Sequence, residues 1–380
     1  MPKIDIAKRA LLAHKKLQGK IEVISKVKVT KSADLSVYYS PGVGAVSSFV
    51  AKFPEKARDY TIRRNTVAVV SDGSAVLGLG NLGPIGALPV MEGKAMLFKS
   101  FAGVDAFPIV LSTQDTDEIV DTVVRIAPTF GGINLEDIAA PRCFEVESRL
   151  KERLNIPVFH DDQHGTAMVV LAGLVNALKV AKKSIATVRV VIAGAGAAGH
   201  AIADLLLLAG ARDVVVLDSK GILFKGRSDL DAPKKQLLEK TNPCDISGGI
   251  GEALAGADVF VGVSKGNTVT REQVASMAKN AIVFALANPV PEIMPDEAKK
   301  AGALVVATGR SDFPNQLNNV LGFPGIFRGA LDHGVRDIAD KMLVSAAMKL
   351  AKLVSSPKPD MIIPSPFDKR VVPAVASAIR

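Results

Sequence analysis

The sequence predicts an α/β fold in two parts, a mixed α/β N-terminal domain and a doubly wound parallel-sheet domain after it. Three observations carry this. At 380 residues the chain has length for two hydrophobic cores. From Val188 onward, short runs of Val, Ile and Ala alternate with helical stretches, the pattern of parallel strands joined by crossover helices. Aromatics make up only 5%, with no Trp, while apolar residues reach 48%. Ala, Val, Leu and Gly therefore fill the core, the small residues that let helices close onto strands.

Each element follows from its local pattern. Ile6, Ala10 and Leu17 fall near helical spacing, and Gly19 stops that helix. Residues 66–71 (TVAVVS) form a buried strand, followed by the glycine-rich loop DGSAVLGLGNLGPIG. Residues 93–101 are helical, 106–111 a strand, and 115–126 a helix opened by acids, which the positive end of its dipole favours. A short strand at 156–159 precedes HDDQH, and a helix spans residues 166–181. Beyond it come the strand VRVVIA (188–193), the turn GAGAAG, a helix at 200–208 closed by Gly210, and a strand at 213–217. Further strands are expected at 257–263, 281–286 and 303–308. A helix at 337–354 leads to a Pro-rich tail from Pro357, expected along the surface. The resulting domains are 1–162, 163–335 and a C-terminal helix and tail at 336–380.

The net charge of +9 resembles a nucleic-acid signal until it is located. Residues 1–31 hold nine Lys/Arg against Asp5 and Glu22, a net of +7, so the other 349 residues carry only +2. The basic arm has no aromatic residue on which a base could stack, which argues against nucleic acid. It reads as a solvated helix face or a contact with a neighbouring subunit. Cys143 and Cys244 match no metal or disulfide spacing, as expected of a reducing, cytoplasmic setting. The apolar run at 10–13 is too short for a signal peptide, and no membrane span is expected.

Gly194-Ala195-Gly196-Ala197-Ala198-Gly199 has the G-x-G-x-x-G spacing, with an apolar strand before it and a helix after it. Gly194 permits the tight turn, Gly196 lets backbone approach a pyrophosphate, and Gly199 allows close helix–strand packing. The helix starting at Ala197 and Ala198 offers N–H donors to the phosphates. Asp218 ends the next strand, 19 residues after Gly199, placed with Ser219 to accept hydrogen bonds from the adenosine ribose. This is a Rossmann-type nicotinamide site. Asp218 favours NAD over NADP because a carboxylate repels a 2′-phosphate, although Lys220 can reach that phosphate if Asp218 turns away.

Asp72, Glu136-Asp137 and Asp161-Asp162 are acids beside apolar strands, costly to bury unless solvated or bound to a cation. Oxygen ligands without cysteine suit Mg²⁺ or Mn²⁺. Chemistry alone divides these acids between a metal site and exposed loops. Over nearly its whole length, however, the chain resembles a bacterial-type malic enzyme of the small form. The matching segments are DLSVYYSPGV (34–43), VSDGSAVLGLGNLG (70–83), MEGKA (91–95), NLEDI (134–138), FHDDQHGTA (159–167), GAGAAG (194–199), FALANPVPEI (284–293) and ATGRSDFPNQLNNVLGFPGIFRGALD (307–332).

The resemblance implies oxidative decarboxylation of malate to pyruvate and CO₂, with hydride transfer to NAD or NADP, by a homodimer. It implies metal ligation by Glu136, Asp137 and Asp162, making the first domain a substrate and metal domain. Lys94 would be the general base, neutral through burial and the nearby cation, with Asp161 beside it. Tyr39 would be the general acid. Asn288 and Asn318 would bind substrate near the nicotinamide. Ala75 stands where larger malic enzymes carry a malate-gripping arginine, and Arg310 is a candidate replacement. Two other classes compete: a zinc hydrolase built on His160 and His164, against which Gly165 is expected to break the required helix, and a non-catalytic dinucleotide-binding regulator. The second leaves MEGKA, NLEDI and HDDQH without purpose.

Overall fold

Strands apolar at every position need cover on both faces, and parallel pairing with crossover helices supplies it. The computed structural model describes residues 6–76 and 78–380. Lys3 and Asp5 of the basic arm, and Leu77 of the glycine-rich loop, lie outside the described residues. In the N-terminal domain β1 (Thr66–Ser71), β2 (Asp105–Val110), β3 (Gly132–Leu135) and β4 (Val158–His160) form a parallel sheet in the order β2-β1-β3-β4. The sequence pattern did not mark β3, because four residues are too few for periodicity to register.

The second sheet holds β5 (Arg189–Ala193), β6 (Asp213–Asp218), β7 (Gly221–Ile222), β8 (Val259–Gly262), β9 (Ile282–Ala285) and β10 (Val305–Thr308). Their order is β10-β9-β8-β5-β6-β7, all parallel except the two-residue β7, which turns back on β6. Chain progression reverses beside β5, so a crevice opens at its carboxyl end.

The Thr166–Ala181 helix lies at the centre, with twelve of its sixteen residues buried. With the preceding turn it is the one helix among the described residues long and apolar enough to cross a membrane, and here those apolar faces are taken up by the protein's own core. One continuous core joins Val67 and Val69 of the first sheet, this helix, and Val190 and Ile192 of the second. The two domains are thus packed through shared apolar contacts.

The Pro-rich tail departs from expectation. Ile362, Val375 and Ile379 are fully buried. Prolines leave neighbouring backbone groups without regular partners, and two buried asparagines supply them. Asn176 Nδ2 donates to the carbonyls of Ala351 (2.8 Å) and Ile362 (2.9 Å). Asn315 donates to Pro359 O (2.8 Å) and accepts from Ile362 N (2.9 Å). The short Val371–Ala376 helix then packs on the Phe323–His333 helix.

That last contact depends on small residues. A Cβ on Gly329 would lie 2.4 Å from Ala376 O and 2.8 Å from Ile379 Cβ. Gly→Ala in a free helix interior stabilises by about 1 kcal/mol, whereas forced overpacking costs about 1–3 kcal/mol. Gly329→Ala is therefore expected to lower the urea midpoint, and an unchanged or higher midpoint would show that the C-terminal helix yields freely.

Candidate active site

Because the strands of the first sheet are parallel, their carboxyl ends share one edge. Leu135 of β3 pairs with His160 of β4, which brings Glu136-Asp137 and Asp161-Asp162 side by side although 25 residues separate Asp137 from Asp162. Asp137 adopts a left-handed conformation (φ +54°), one that Asp tolerates better than most residues. Its N–H donates to Asp162 Oδ2 (2.8 Å), and its carbonyl accepts from Ala75 N (2.9 Å).

Lys94 reaches into this edge from the Gly83–Ala102 helix. Ala87, Met91, Lys94, Ala95 and Phe98 are the buried residues of that helix, so the lysine lies on its apolar stripe. Its ammonium is 2.8 Å from Glu136 Oε1 and hydrogen-bonds Asp161 Oδ2. It also stands 4.1 Å from the centre of the Phe323 ring, a cation–π contact. Phe98 packs edge-on against both Phe323 and Phe327, and all three rings are fully buried.

Burial works against charge on every member of this cluster. For Lys94 the carboxylates of Asp161, Glu136 and Asp162 outweigh burial and hold the ammonium above the ordinary lysine range. In the protein alone the acids therefore keep Lys94 charged, whereas the neutral amine expected from the sequence belongs with a cation beside it. Burial pushes Asp161 up to about 7 and Asp162 to about 6, against the pull of Lys94. Glu136 is likewise raised by burial, with Asn134 donating to its Oε2 (2.9 Å).

Glu147 was not visible as a site residue, although the signal existed. It shares the buried face of the Arg142–Arg153 helix with Cys143, Val146 and Leu150, an acid on an apolar stripe. Its carboxylate lies 2.9 Å from His164 Nε2 and accepts from Gln163 Nε2 (3.3 Å) and His160 N (3.2 Å). Burial opposes its charge, but His164, Lys151 and His160 hold it below the usual carboxylate range. Glu147 thus fixes the turn that presents Asp161 and Asp162.

Residues Asp161–Gly165 form a π turn that runs into Thr166–Ala181. Gly165 therefore does not break the helix, contrary to expectation. It is small because a Cβ there would collide with Asp161 Oδ1. The zinc reading fails on other grounds: His160 ends β4 and is fully buried, while His164 lies in the following turn with Nε2 on Glu147, so the two do not form the one-face helical pair that reading needs.

Asp72 also leaves the metal candidates. Its Oδ2 accepts from Arg142 Nη2 (2.6 Å), and its Oδ1 accepts from Ser74 N (2.9 Å) and Oγ (2.6 Å). It is the anchor of the DGSA loop.

A cleft of about 780 Å³ opens at the carboxyl end of the second sheet, between the domains. Gly194, Gly196, Asp218, Ser219, Lys234 and Ser264 are among its walls. Gly194 has φ +125°, and a Cβ on Gly199 would lie 1.7 Å from Gly194 O. A Cβ on Gly196 would meet nothing within 4 Å, so that backbone faces open space. The helix Ala197–Leu208 begins there, giving Ala197 and Ala198 the position expected of phosphate donors.

Asp218 is more committed than expected. Its oxygens accept from Arg227 (2.7 and 3.1 Å) and Lys220 N (2.9 Å), and Lys234 Nζ is 3.2 Å away.

The remaining candidates sit apart. Asn318 caps the turn Asn319–Leu321, which packs against the Asp161–Gly165 turn. Asn288 lies under the glycine-rich loop, where a Cβ on Gly78 would strike its carbonyl. Arg310 donates to Pro289 O (2.9 Å), but its guanidinium is paired with Asp312 (2.7 Å). Tyr39 is not brought to Lys94. It follows the Ser32–Tyr38 helix with its side chain 70% exposed.

Comparison with known proteins agrees with this architecture. The chain matches the family models "Malic enzyme, N-terminal domain" at residues 18–116 and 112–151, and "Malic enzyme, NAD binding domain" at 163–377. It is 56% identical to the bifunctional malic/malolactic enzyme of Bacillus subtilis, over 99% of this chain and 92% of that protein. It is 46% identical to the NADP-dependent malic enzyme of Halomonas elongata, over 99% and 93%. The crystal structure of the NAD-dependent malic enzyme from Thermotoga maritima superposes with a TM-score of 0.95 at 51% identity, covering 97% of this chain and 98% of that one. The chain belongs to the malic enzyme family, with both the N-terminal and the nicotinamide-dinucleotide-binding domains of that family.

Proposed function

We propose that the chain oxidises malate with a nicotinamide dinucleotide and decarboxylates the product to pyruvate, using the Lys94 cluster and a divalent cation. The observation that carries this reading is a buried ammonium among acids on a sheet edge that faces a dinucleotide-type domain. Formation of reduced nicotinamide with malate and Mn²⁺, followed by absorbance with NAD and with NADP, tests it directly. A regulator or a zinc hydrolase would give no signal.

The cation's fit rests on the donor set. Among the described residues no three acids, histidines or cysteines already surround one point. Yet Glu136, Asp137 and Asp161 are buried and Asp162 half-buried around one lysine, and Asp161 Oδ1 is buried without a hydrogen bond to the described residues. Hard oxygen donors and excess negative charge suit Mg²⁺ or Mn²⁺. Glu136, Asp137 and Asp162 would hold the ion, which when bound would polarise the substrate's hydroxyl and carbonyl oxygens. With those acids so committed, Lys94 keeps Asp161 alone, and the burial that opposes its charge brings it toward a neutral base. Lys94 then removes the hydroxyl proton as C2 gives up hydride, and Asp161 holds the amine in place.

Tyr39 as general acid needs a second copy. None of residues 6–65 is buried, and Leu35, Val37, Tyr38 and Phe49 among them are exposed apolar side chains. Surfaces of this kind mark interfaces. We extend the proposal to a homodimer that covers this layer and carries the Tyr39 phenol to the partner's site. Both cysteines are free, in keeping with a cytoplasmic setting.

Four outcomes are expected. Chelator should abolish turnover, with Mn²⁺ or Mg²⁺ restoring it. The thermal stabilisation given by Mn²⁺ should grow from pH 5.5 to 8, since protons on Glu136 and Asp162, held to about 7 and 6, compete with the ion below those values. Full turnover in excess chelator, or a pH-independent shift, would count against the site. Lys94→Ala should lower malate oxidation roughly 10²–10⁴-fold, the usual contribution of a general base; near-normal oxidation would remove the assignment. Finally, Tyr39→Phe and Lys94→Ala chains, each impaired alone, should regain activity when mixed dimers form, as one site then holds both native groups. No recovery in mixed dimers would place Tyr39 outside the partner's site.

A further inference from the structure

The amino ends of the first sheet's strands border a separate cavity of about 370 Å³, on the edge opposite the Lys94 cluster. Asn155, Ile156 and Pro157 lead into β4 there, Gly131 leads into β3, and Arg63 stands three residues before β1. Arg58 and Arg336 bring two more guanidiniums. One comes from the short Ala57–Tyr60 helix and the other from the loop after the Phe323–His333 helix. Gly334 leaves room for them, since a Cβ there would lie 2.8 Å from Arg58 Nη1.

None of these three guanidiniums has a hydrogen bond or an ion pair with a described residue. Two neighbouring acids, Asp59 and Asp332, are paired instead with Arg64 (3.3 Å) and Arg328 (2.6 Å). Within the lining the three arginines stand against Glu55 alone, a net of +2. Arg58 and Arg63 are half-buried, so like charges are held together where water screens them incompletely. Such a group is unfavourable until an anion joins it. Ile156, Pro157, Leu331 and Val335 supply an apolar wall beside it.

We propose that this cavity is a second ligand site, one that binds a phosphate monoester. Such a group carries about −1.5 to −2 near pH 7, which matches the charge of the lining, and it turns its oxygens in several directions. Guanidiniums arriving from three separate segments fit that shape, whereas a planar carboxylate offers an edge that one fork satisfies. The cavity is larger than phosphate alone, and its apolar wall takes the organic part of the ester. The four residues of β3, roughly 13 Å of strand, lie between this edge and the acids around Lys94, so the ligand sits apart from the substrate. Arg58 and Arg63 also belong to the exposed layer at residues 6–65, which makes an acid of a second copy the rival occupant.

The test is calorimetric titration of the intact protein with inorganic phosphate, phenyl phosphate and benzoate, with NAD in excess so that the glycine-rich turn is occupied. Both phosphates should bind, phenyl phosphate the more tightly because its ring meets the apolar wall. Benzoate, which carries the same ring on a planar carboxylate, should bind far more weakly. Arg336→Ala and Arg63→Ala should each weaken phenyl phosphate by roughly tenfold, the loss of a charge-assisted hydrogen bond. Arg63→Lys keeps the charge but not the fork and should fall between. Arg336 is exposed, so its replacement leaves folding intact, and thermal melting checks the Arg63 variants. No binding of phenyl phosphate at millimolar concentration, equal affinity for benzoate, or binding that both alanine variants leave unchanged would overturn the proposal. So would dissociation of a dimer by Arg63→Ala in sedimentation without any phosphate binding to the unmodified protein, which would assign the arginines to an acid of the partner copy.

Discussion

One buried ammonium allows the rest of the site to exist. Four acids brought to a common edge by parallel pairing would repel one another in a medium that screens poorly. Desolvating even one carboxylate costs several kcal/mol unless it is compensated. Lys94 supplies that compensation to Glu136 and Asp161 directly, and Phe323 beneath it offers its ring face to the same charge. The cost of burying a lysine is thus set against the cost of burying acids. The arrangement remains short of positive charge, which is why a divalent cation suits it.

Positioning is delegated to residues that take no part in the chemistry. Glu147 ties His160, Gln163 and His164 together, and Arg142 secures Asp72 and Ser74. The loops after β1, β3 and β4 are thereby fixed relative to one another by charged hydrogen bonds, which are stronger than neutral ones. The same logic recurs at the second sheet, where Arg227 holds Asp218. In both places an arginine or an acid that reads as ordinary surface charge in the sequence determines where a functional carboxylate points.

The shared apolar core has a functional consequence. Because Thr166–Ala181 shares one apolar core with both sheets and begins where the Asp161–Gly165 turn ends, the acid cluster is attached directly to a helix that packs on β9 and β10. The first domain contributes the cluster, the second contributes the glycine-rich turn, and the helix between them sets their separation. The exposed layer at residues 6–65 is the part of the chain this core does not reach.

The sequence by itself determined the two-sheet α/β architecture, the glycine-rich turn and the identity of the acids. Those features are local: a run of Val and Ile reads as a strand whatever lies around it, and Gly194 and Gly199 obey steric rules within one turn. The short strand Gly132–Leu135 and the buried tail were not legible, since one is too brief to show a period and the other has its backbone bonded by Asn176 and Asn315 from distant segments. The protonation of Lys94 was likewise beyond sequence reasoning. Burial and acid neighbours push it in opposite directions, and only their distances decide which prevails. Asp218 makes the same point, for its spacing after Gly199 says where it stands, while its pairing with Arg227 and Lys234 comes only from the fold.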